Sequence, residues 1–204
     1  INGGQATAAQ REVLAGWSGW GGLDDVFDER KATYAQMRTD LRELMTESEF
    51  AAARRSVLNA HYTAPAYSEA IWSVLKEAGV TAGTGLEPGC GSGSFISQAP
   101  DGVAMTGVEL DPTTGAIAQH LNPDDEIRVE GFEKTQLPAL FDVAVGNVPF
   151  DDVRLYDPAH NPGNHSLHNH FIIKSLDLVK PGGYVALLTS SWTMDAQNPA
   201  ARRD

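Results

Sequence analysis

Glu87-Pro88-Gly89-Cys90-Gly91-Ser92-Gly93 follows the end of an apolar run, Gly85-Leu86-Glu87, and precedes a stretch that reads as helix. Glycines at a strand-to-helix turn permit positive φ and let backbone N–H groups approach a ligand closely. The spacing is Gly-x-Gly-x-Gly, not the Gly-x-Gly-x-x-Gly of dinucleotide enzymes. A tight turn without a ligand is the plain alternative. Glu109 adds a second signal. It ends the next apolar run, twenty residues after Gly89, where a carboxylate can accept both hydroxyls of a ribose. A solvated strand-end glutamate needs no ligand, yet the two features together point to an adenosine-bearing cofactor.

Outward from this turn the pattern is strand–helix–strand. Val103–Glu109, Ile127-Arg128-Val129, Phe141–Gly146 and Tyr184–Thr189 read as further strands. Ser166 is placed to cap a helix through Leu178, ended by Pro181-Gly182-Gly183. Strands alternating with helices imply right-handed βαβ units and a parallel sheet. Upstream of residue 81 the chain reads as helical. Helices are expected over 5–15, over 29–45, from a cap near Ser48 through Phe50, Val57 and Leu58, and from Pro65 through Ile71, Val74, Leu75 and Ala78 to Gly79. The expected division is a helical extension over 1–60 and an α/β core over 61–204.

Of the 204 residues 42% are hydrophobic and 21% charged, a balance that supports a core and excludes wholesale disorder. No apolar run approaches the roughly 20 residues of a membrane span. Ile1-Asn2-Gly3-Gly4-Gln5 has neither the charged nor the apolar region of a signal peptide, and the missing initiator Met marks a fragment or a processed chain. The single cysteine, Cys90, excludes an internal disulfide and suits a reducing, cytoplasmic compartment. The formal charge is −12, from 15 Lys+Arg against 27 Asp+Glu. That argues against strong nonspecific nucleic-acid binding by this chain alone, but not against a nucleic-acid substrate delivered by another domain.

The glycine turn, Glu109 and Asn147-Val148-Pro149-Phe150 resemble the motifs of class I S-adenosylmethionine-dependent N6-adenine DNA methyltransferases. His61-Tyr62-Thr63-Ala64-Pro65 is similar to the segment that closes over the methionine end of the cofactor in that family. Trp20-Gly21-Gly22-Leu23, Gly146–Phe150, Ser166–Phe171 and Thr189–Asp195 resemble, more narrowly, the methylase part of strawberry-notch-like helicase–methyltransferase proteins of phages and mobile elements. The resemblance spans about residues 10 to 195. It implies a Rossmann-like methyltransferase core, a mostly parallel sheet with flanking helices. It implies S-adenosylmethionine contacts from Tyr62, Thr63, Glu87, Pro88, Gly89, Gly91, Gly93, Phe95, Glu109 and Leu110. Near Gly131 it implies an apolar side chain against the cofactor adenine and an acid beside it: Phe132 and Glu133 are the nearest candidates, with Glu130 a rival.

Asn147, Val148, Pro149 and Phe150 are the implied catalytic residues. An exocyclic amine is a poor nucleophile because its lone pair is delocalised into the ring. Two acceptors, the Asn147 side-chain oxygen and the Val148 carbonyl, would hold its N–H bonds so that the lone pair faces the methyl sulfonium. Phe150 would stack on a base flipped out of the duplex. The family usually has proline where this chain has Val148, so Val148→Pro is expected to be tolerated or to raise activity.

The family closes its sheet with two further strands, one antiparallel, and Asp195–Asp204 is too short to supply both. A sheet truncated after the fifth strand is therefore expected, with DNA binding and helicase activity on other domains or subunits. His160, His165, His168 and His170 fall within eleven residues, but without the ligand spacing of a zinc site. No metal is expected, and the histidines are assigned to a loop and helix start beside the substrate pocket. Trp17 and Trp20 suit packing of the extension better than base stacking, and the Arg54-Arg55 and Arg202-Arg203 pairs are too sparse for a nucleic-acid patch. Three functions follow. The first is N6-adenine methylation of DNA within a larger modification or anti-restriction protein. The second is methylation of RNA or of protein glutamine. The third is a cofactor-binding module without catalysis in a DNA-processing assembly.

Overall fold

Thr7 starts the first helix with a capping box: its side chain accepts from the Gln10 N–H while the Gln10 side chain accepts from the Thr7 N–H. The computed structural model describes residues 4–57, 63–137, 140–150, 153–197 and 199–203. Helix α1 (Ala8–Ala15) is followed by the short α2 (Asp24–Phe27), α3 (Ala35–Leu44) and α4 (Glu47–Ser56). The segment from α2 to α4 encloses Trp20, Val26, Phe27, Phe50, Ala53 and Val57. Arg38, buried in this layer, donates to the carbonyls of Val26, Asp28 and Lys31.

The remaining elements are α5 (Pro65–Glu77), β1 (Ala82–Pro88), β2 (Gly102–Glu109), α6 (Pro112–Leu121), β3 (Glu126–Val129), β4 (Phe141–Asn147), α7 (Leu167–Asp177), β5 (Val179–Leu188) and α8 (Trp192–Asp195). The five strands form one parallel sheet ordered β3-β2-β1-β4-β5. β4 reads Phe-Asp-Val-Ala-Val-Gly-Asn and is buried at nearly every position, as expected of a parallel strand covered on both faces. One core cluster gathers Trp72, Phe95, Ile96, Val103, Met105 and Ile127. Another gathers Leu86, Val108, Phe132, Phe141, Val148 and Phe171. The order reverses beside β1, which leaves a crevice at the carboxyl ends of β1 and β4, where open α/β sheets bind ligands.

The sequence expectations need four corrections. The glycine turn does not lead into an α-helix; turns over 91–95 give way to one 3-10 turn, Ile96–Gln98. Pro100 and the start of β2 at Gly102 leave no room for more. The helix expected over 29–45 is a 3-10 turn at Ala32–Tyr34 followed by α3, because Arg30 is held by Asp28 ahead of it. The cap of α4 is Thr46, not Ser48: Thr46 and Glu49 satisfy each other's N–H groups reciprocally. Leu58 lies outside the described residues. Finally, Pro181-Gly182-Gly183 lies within β5 as a register shift against β4, while α7 ends earlier, at Asp177. Gly182 takes φ 87°, and a Cβ on Gly183 would lie 2.6 Å from the Asp142 carbonyl.

Candidate active site

A cavity of about 260 Å³ opens at the carboxyl ends of β1, β2 and β4. The glycine turn forms one wall. Gly89, Gly91 and Gly93 adopt φ of 68°, 56° and 86°, a region that disfavours other residues. The turn is tied to β2 by two backbone donors: Cys90 N–H to the Val108 carbonyl (3.0 Å) and Gly91 N–H to Glu109 Oε2 (2.9 Å). A Cβ on Gly89 would sit 3.5 Å from Phe171 and 3.6 Å from Pro149, so the turn also abuts the segment after β4.

Glu109 Oε1 accepts the Asp111 N–H at 2.8 Å. A carboxylate offers about four acceptor sites, so both oxygens keep capacity for ligand hydroxyls. Burial pushes its pKa up, against the backbone hydrogen bonds from Asp111 and Gly91. Glu87 is buried and accepts the Ile96 N–H at 3.1 Å. Burial pushes its pKa well up. The folded state therefore binds the Glu87 proton more tightly than the unfolded state, so this group favours folding less as pH rises. Burial also pushes the Cys90 thiol up, which makes it an inert packing group rather than a nucleophile.

Most sequence-derived site residues meet here. Thr63, Glu87, Gly89, Gly91, Phe95, Glu109, Leu110, Phe132, Glu133, Asn147 and Pro149 line the cavity. Glu130 lines it as well, so both acid candidates face the same space. Pro88, Gly93 and Val148 are buried but are not among the lining residues. Phe150 is half-buried and packs against the second core cluster. Tyr62 lies outside the described residues.

The sequence reading missed the far wall. Gly19 and Trp20 line the cavity together with Asp111 and Thr114. Trp20 Nε1 donates to Asp111 Oδ2 (3.2 Å) and Trp17 Nε1 to Thr114 Oγ1 (3.1 Å), with the two indoles edge-to-face. The tryptophans thus pack the extension on the core, and Trp20 reaches the site as well.

Asn147 ends β4, and the next N–H, that of Val148, donates to the Leu188 carbonyl at 3.0 Å. This overturns the expectation that proline is harmless or helpful at 148. Val148→Pro removes that donor and disturbs a side chain only 1% exposed. The expected result is a loss of about 1 kcal/mol or more in denaturant unfolding, with no gain in activity.

The histidines divide by role. His160 Nδ1 bonds Asp177 (2.8 Å), whereas His170 is fully buried with Nε2 3.0 Å from Asp157 Oδ2. Lys174, one turn further along α7 and 2% exposed, donates to the same Asp157 oxygen (2.9 Å) and to the Phe132 carbonyl (2.7 Å). Burial raises the Asp157 pKa, but the bonds from His170 and Lys174 outweigh it and hold the carboxyl below its ordinary value. Burial lowers the His170 pKa, which favours a neutral ring. This network joins the loop after β4, helix α7 and the Phe132 turn behind the cavity. Among the described residues no His, Cys, Asp and Glu side chains gather to hold a metal ion, and no helix is long and apolar enough to cross a membrane.

No model of a protein family matches the chain. Among solved structures, one described as a class I S-adenosylmethionine-dependent methyltransferase from Listeria monocytogenes superposes with TM-score 0.57 at 17% identity, covering 89% of this chain and 68% of that one. The fold is that of the Rossmann-like methyltransferases. A modification subunit of a type I restriction enzyme from Vibrio vulnificus gives TM-score 0.55 at 16% identity, covering 83% of this chain and 40% of that one. In sequence, Defense against restriction protein B of Escherichia phage P1 is 28% identical over 204 residues, 97% of this chain. The chain spans only 8% of the length of that relative.

Proposed function

We propose that this chain binds S-adenosylmethionine and transfers its methyl group to the N6 amine of adenine in DNA. The observation that carries this reading is the meeting of the glycine turn, Glu109 and Asn147 in one cavity. The residues suit a nucleoside: Glu109 keeps acceptor capacity on both oxygens, and the buried Asp111 Oδ1 has no donor among the described residues. When bound, S-adenosylmethionine supplies a methyl group on an electrophilic sulfonium. Asn147, through its side-chain oxygen, accepts one N–H of the target amine, and the Val148 carbonyl accepts the other, which aims the nitrogen lone pair. Phe150, with its half-buried ring, offers a face to the flipped base.

The likeness to a defence-against-restriction protein and to a restriction-modification subunit supports a DNA-modifying or anti-restriction setting. The charge of −12 supports a reading in which the main DNA-binding surface belongs to other domains or subunits. A module without catalysis is the second reading, favoured by Val148 in place of proline and by Phe150 resting on the core. Transfer of labelled methyl to DNA, RNA and protein substrates in parallel separates these functions: label in DNA adenine supports the first, and cofactor binding without transfer to any substrate supports the second. Glu109→Ala is expected to weaken cofactor binding by about 1.5–3 kcal/mol, the range for hydrogen bonds to a charged group. Equal affinities of variant and wild type in calorimetry would remove Glu109 from the site.

A further inference from the structure

We infer that Trp20 is a cofactor-binding residue, and that residues 16–22 form the wall closing the nucleoside end of the cavity beside Glu109 and Asp111. The inference rests on the S-adenosylmethionine reading and extends the site into a segment otherwise assigned to the helical extension. Trp20 is 5% exposed and lines the cavity next to Gly19, which turns the chain with φ 74°.

The decisive group is Asp111. Its Oδ2 accepts three donors: Trp20 Nε1 at 3.2 Å, Thr114 N–H at 2.9 Å and Thr114 Oγ1 at 2.7 Å. Its Oδ1 is equally buried and has no donor among the described residues. A buried carboxylate oxygen left without a donor is unfavourable, and here the residue lines a cavity. Asp111 also donates its N–H to Glu109 Oε1, so the two carboxylates are fixed to each other through the main chain. A ribose diol offers two hydroxyl donors to such a pair. Trp20, held by Asp111, then covers the sugar from the side opposite the glycine turn.

The wall is also a thermodynamic link. The Trp20 ring packs edge-to-face on Trp17 and on Phe27, and Phe27 packs on Phe50. Ligand bound against Trp20 therefore stabilises the packing of α2 and α4. A tryptophan that only packs the extension would leave cofactor affinity unchanged when it is replaced by a smaller ring that still fills the space.

S-adenosylhomocysteine, an unreactive product, is the probe. It is titrated into wild type, Trp20→Phe, Trp20→Ala, Asp111→Asn and, as a control, the exposed Trp192→Phe, by tryptophan fluorescence and by calorimetry. The wild type and Trp192→Phe are expected to show the same emission change, and Trp20→Phe is expected to lose most of it. Trp20→Ala should bind about tenfold more weakly, the scale of one aromatic contact to a base or nucleoside. Asp111→Asn keeps a competent helix cap but exchanges an acceptor for a donor, and should weaken binding by a similar factor. If Trp20→Ala does not fold, the emission of Trp20→Phe and the affinity of Asp111→Asn decide. Wild-type emission change in Trp20→Phe together with wild-type affinity in Asp111→Asn overturns the inference. Absence of binding to wild type overturns the cofactor reading itself, and this inference with it.

Discussion

Asn147→Ala is expected to lower methyl transfer to an adenine-containing oligonucleotide by about 10²–10³ while leaving S-adenosylhomocysteine affinity nearly unchanged. The split follows from geometry. The proposed cofactor contacts lie on the glycine turn, Glu109 and Asp111, whereas Asn147 reaches the same cavity from the end of β4. In the proposed reaction its side-chain oxygen acts where the amine becomes tetrahedral, so its removal is expected to fall on the transition state. Loss of one such preorganised group costs about 10²–10³ in rate. Single-turnover methylation with saturating cofactor is the measurement. A wild-type rate in Asn147→Ala would place the active site elsewhere, and cofactor binding lost together with activity would mean that Asn147 supports the pocket rather than the reaction.

Lys174→Met is expected to destabilise the fold by about 3–5 kcal/mol, the cost of leaving one member of a buried ion pair uncompensated. Lys174 and Asp157 are 2% and 5% exposed at their side chains, so water cannot take over the lost partner. The Lys174 Nζ also lies 5.0 Å from the Phe132 ring centroid and holds the Phe132 carbonyl, so the variant loosens the turn that carries Phe132 and Glu133. The pH dependence has a definite sign. Asp157 is held below its unfolded pKa, so its contribution is present above the ordinary carboxylate range and is lost as pH falls through the folded value. Denaturant unfolding of wild type, Lys174→Met and the double variant Asp157→Asn/Lys174→Met tests this. The double variant should recover part of the loss, because no bare charge remains. A loss below about 1 kcal/mol in the single variant would mark the pair as dispensable, the usual range for solvated pairs.

The parallel sheet was legible because its signals are local. Apolar runs such as Phe141–Gly146 have few other uses, and Gly89, Gly91 and Gly93 announce a turn whatever surrounds them. Glu109 was placed by its distance from that turn, and most of the cavity lining followed from the same two features and the family likeness. The helix after the turn failed because Pro100 and Gly102 cut the segment short, a constraint set by where β2 must begin. Trp20 as a cavity wall was out of reach, since its bond to Asp111 spans 91 positions and no periodicity reports such a contact. Lys174 did leave a trace. It falls three residues after Phe171 and four before Leu178, on the apolar face of α7, and a lysine there needs a buried partner. Asp157, in an irregular loop, could not be named as that partner from spacing alone.

Three joints of the site are made of main chain alone. Cys90 N–H to the Val108 carbonyl, Glu130 N–H to the Glu109 carbonyl and Val148 N–H to the Leu188 carbonyl tie the glycine turn, the end of β2 and the segment after β4 by bonds in which no side chain takes part. Evolutionary drift meets little resistance at such joints. Residues 90, 108 and 188 can exchange side chains of suitable size and leave the cradle where it is. Selection then concentrates on a few positions: glycines with positive φ, and the polar groups facing the cavity. A frame of this kind tolerates wide change in sequence while its binding geometry stays still.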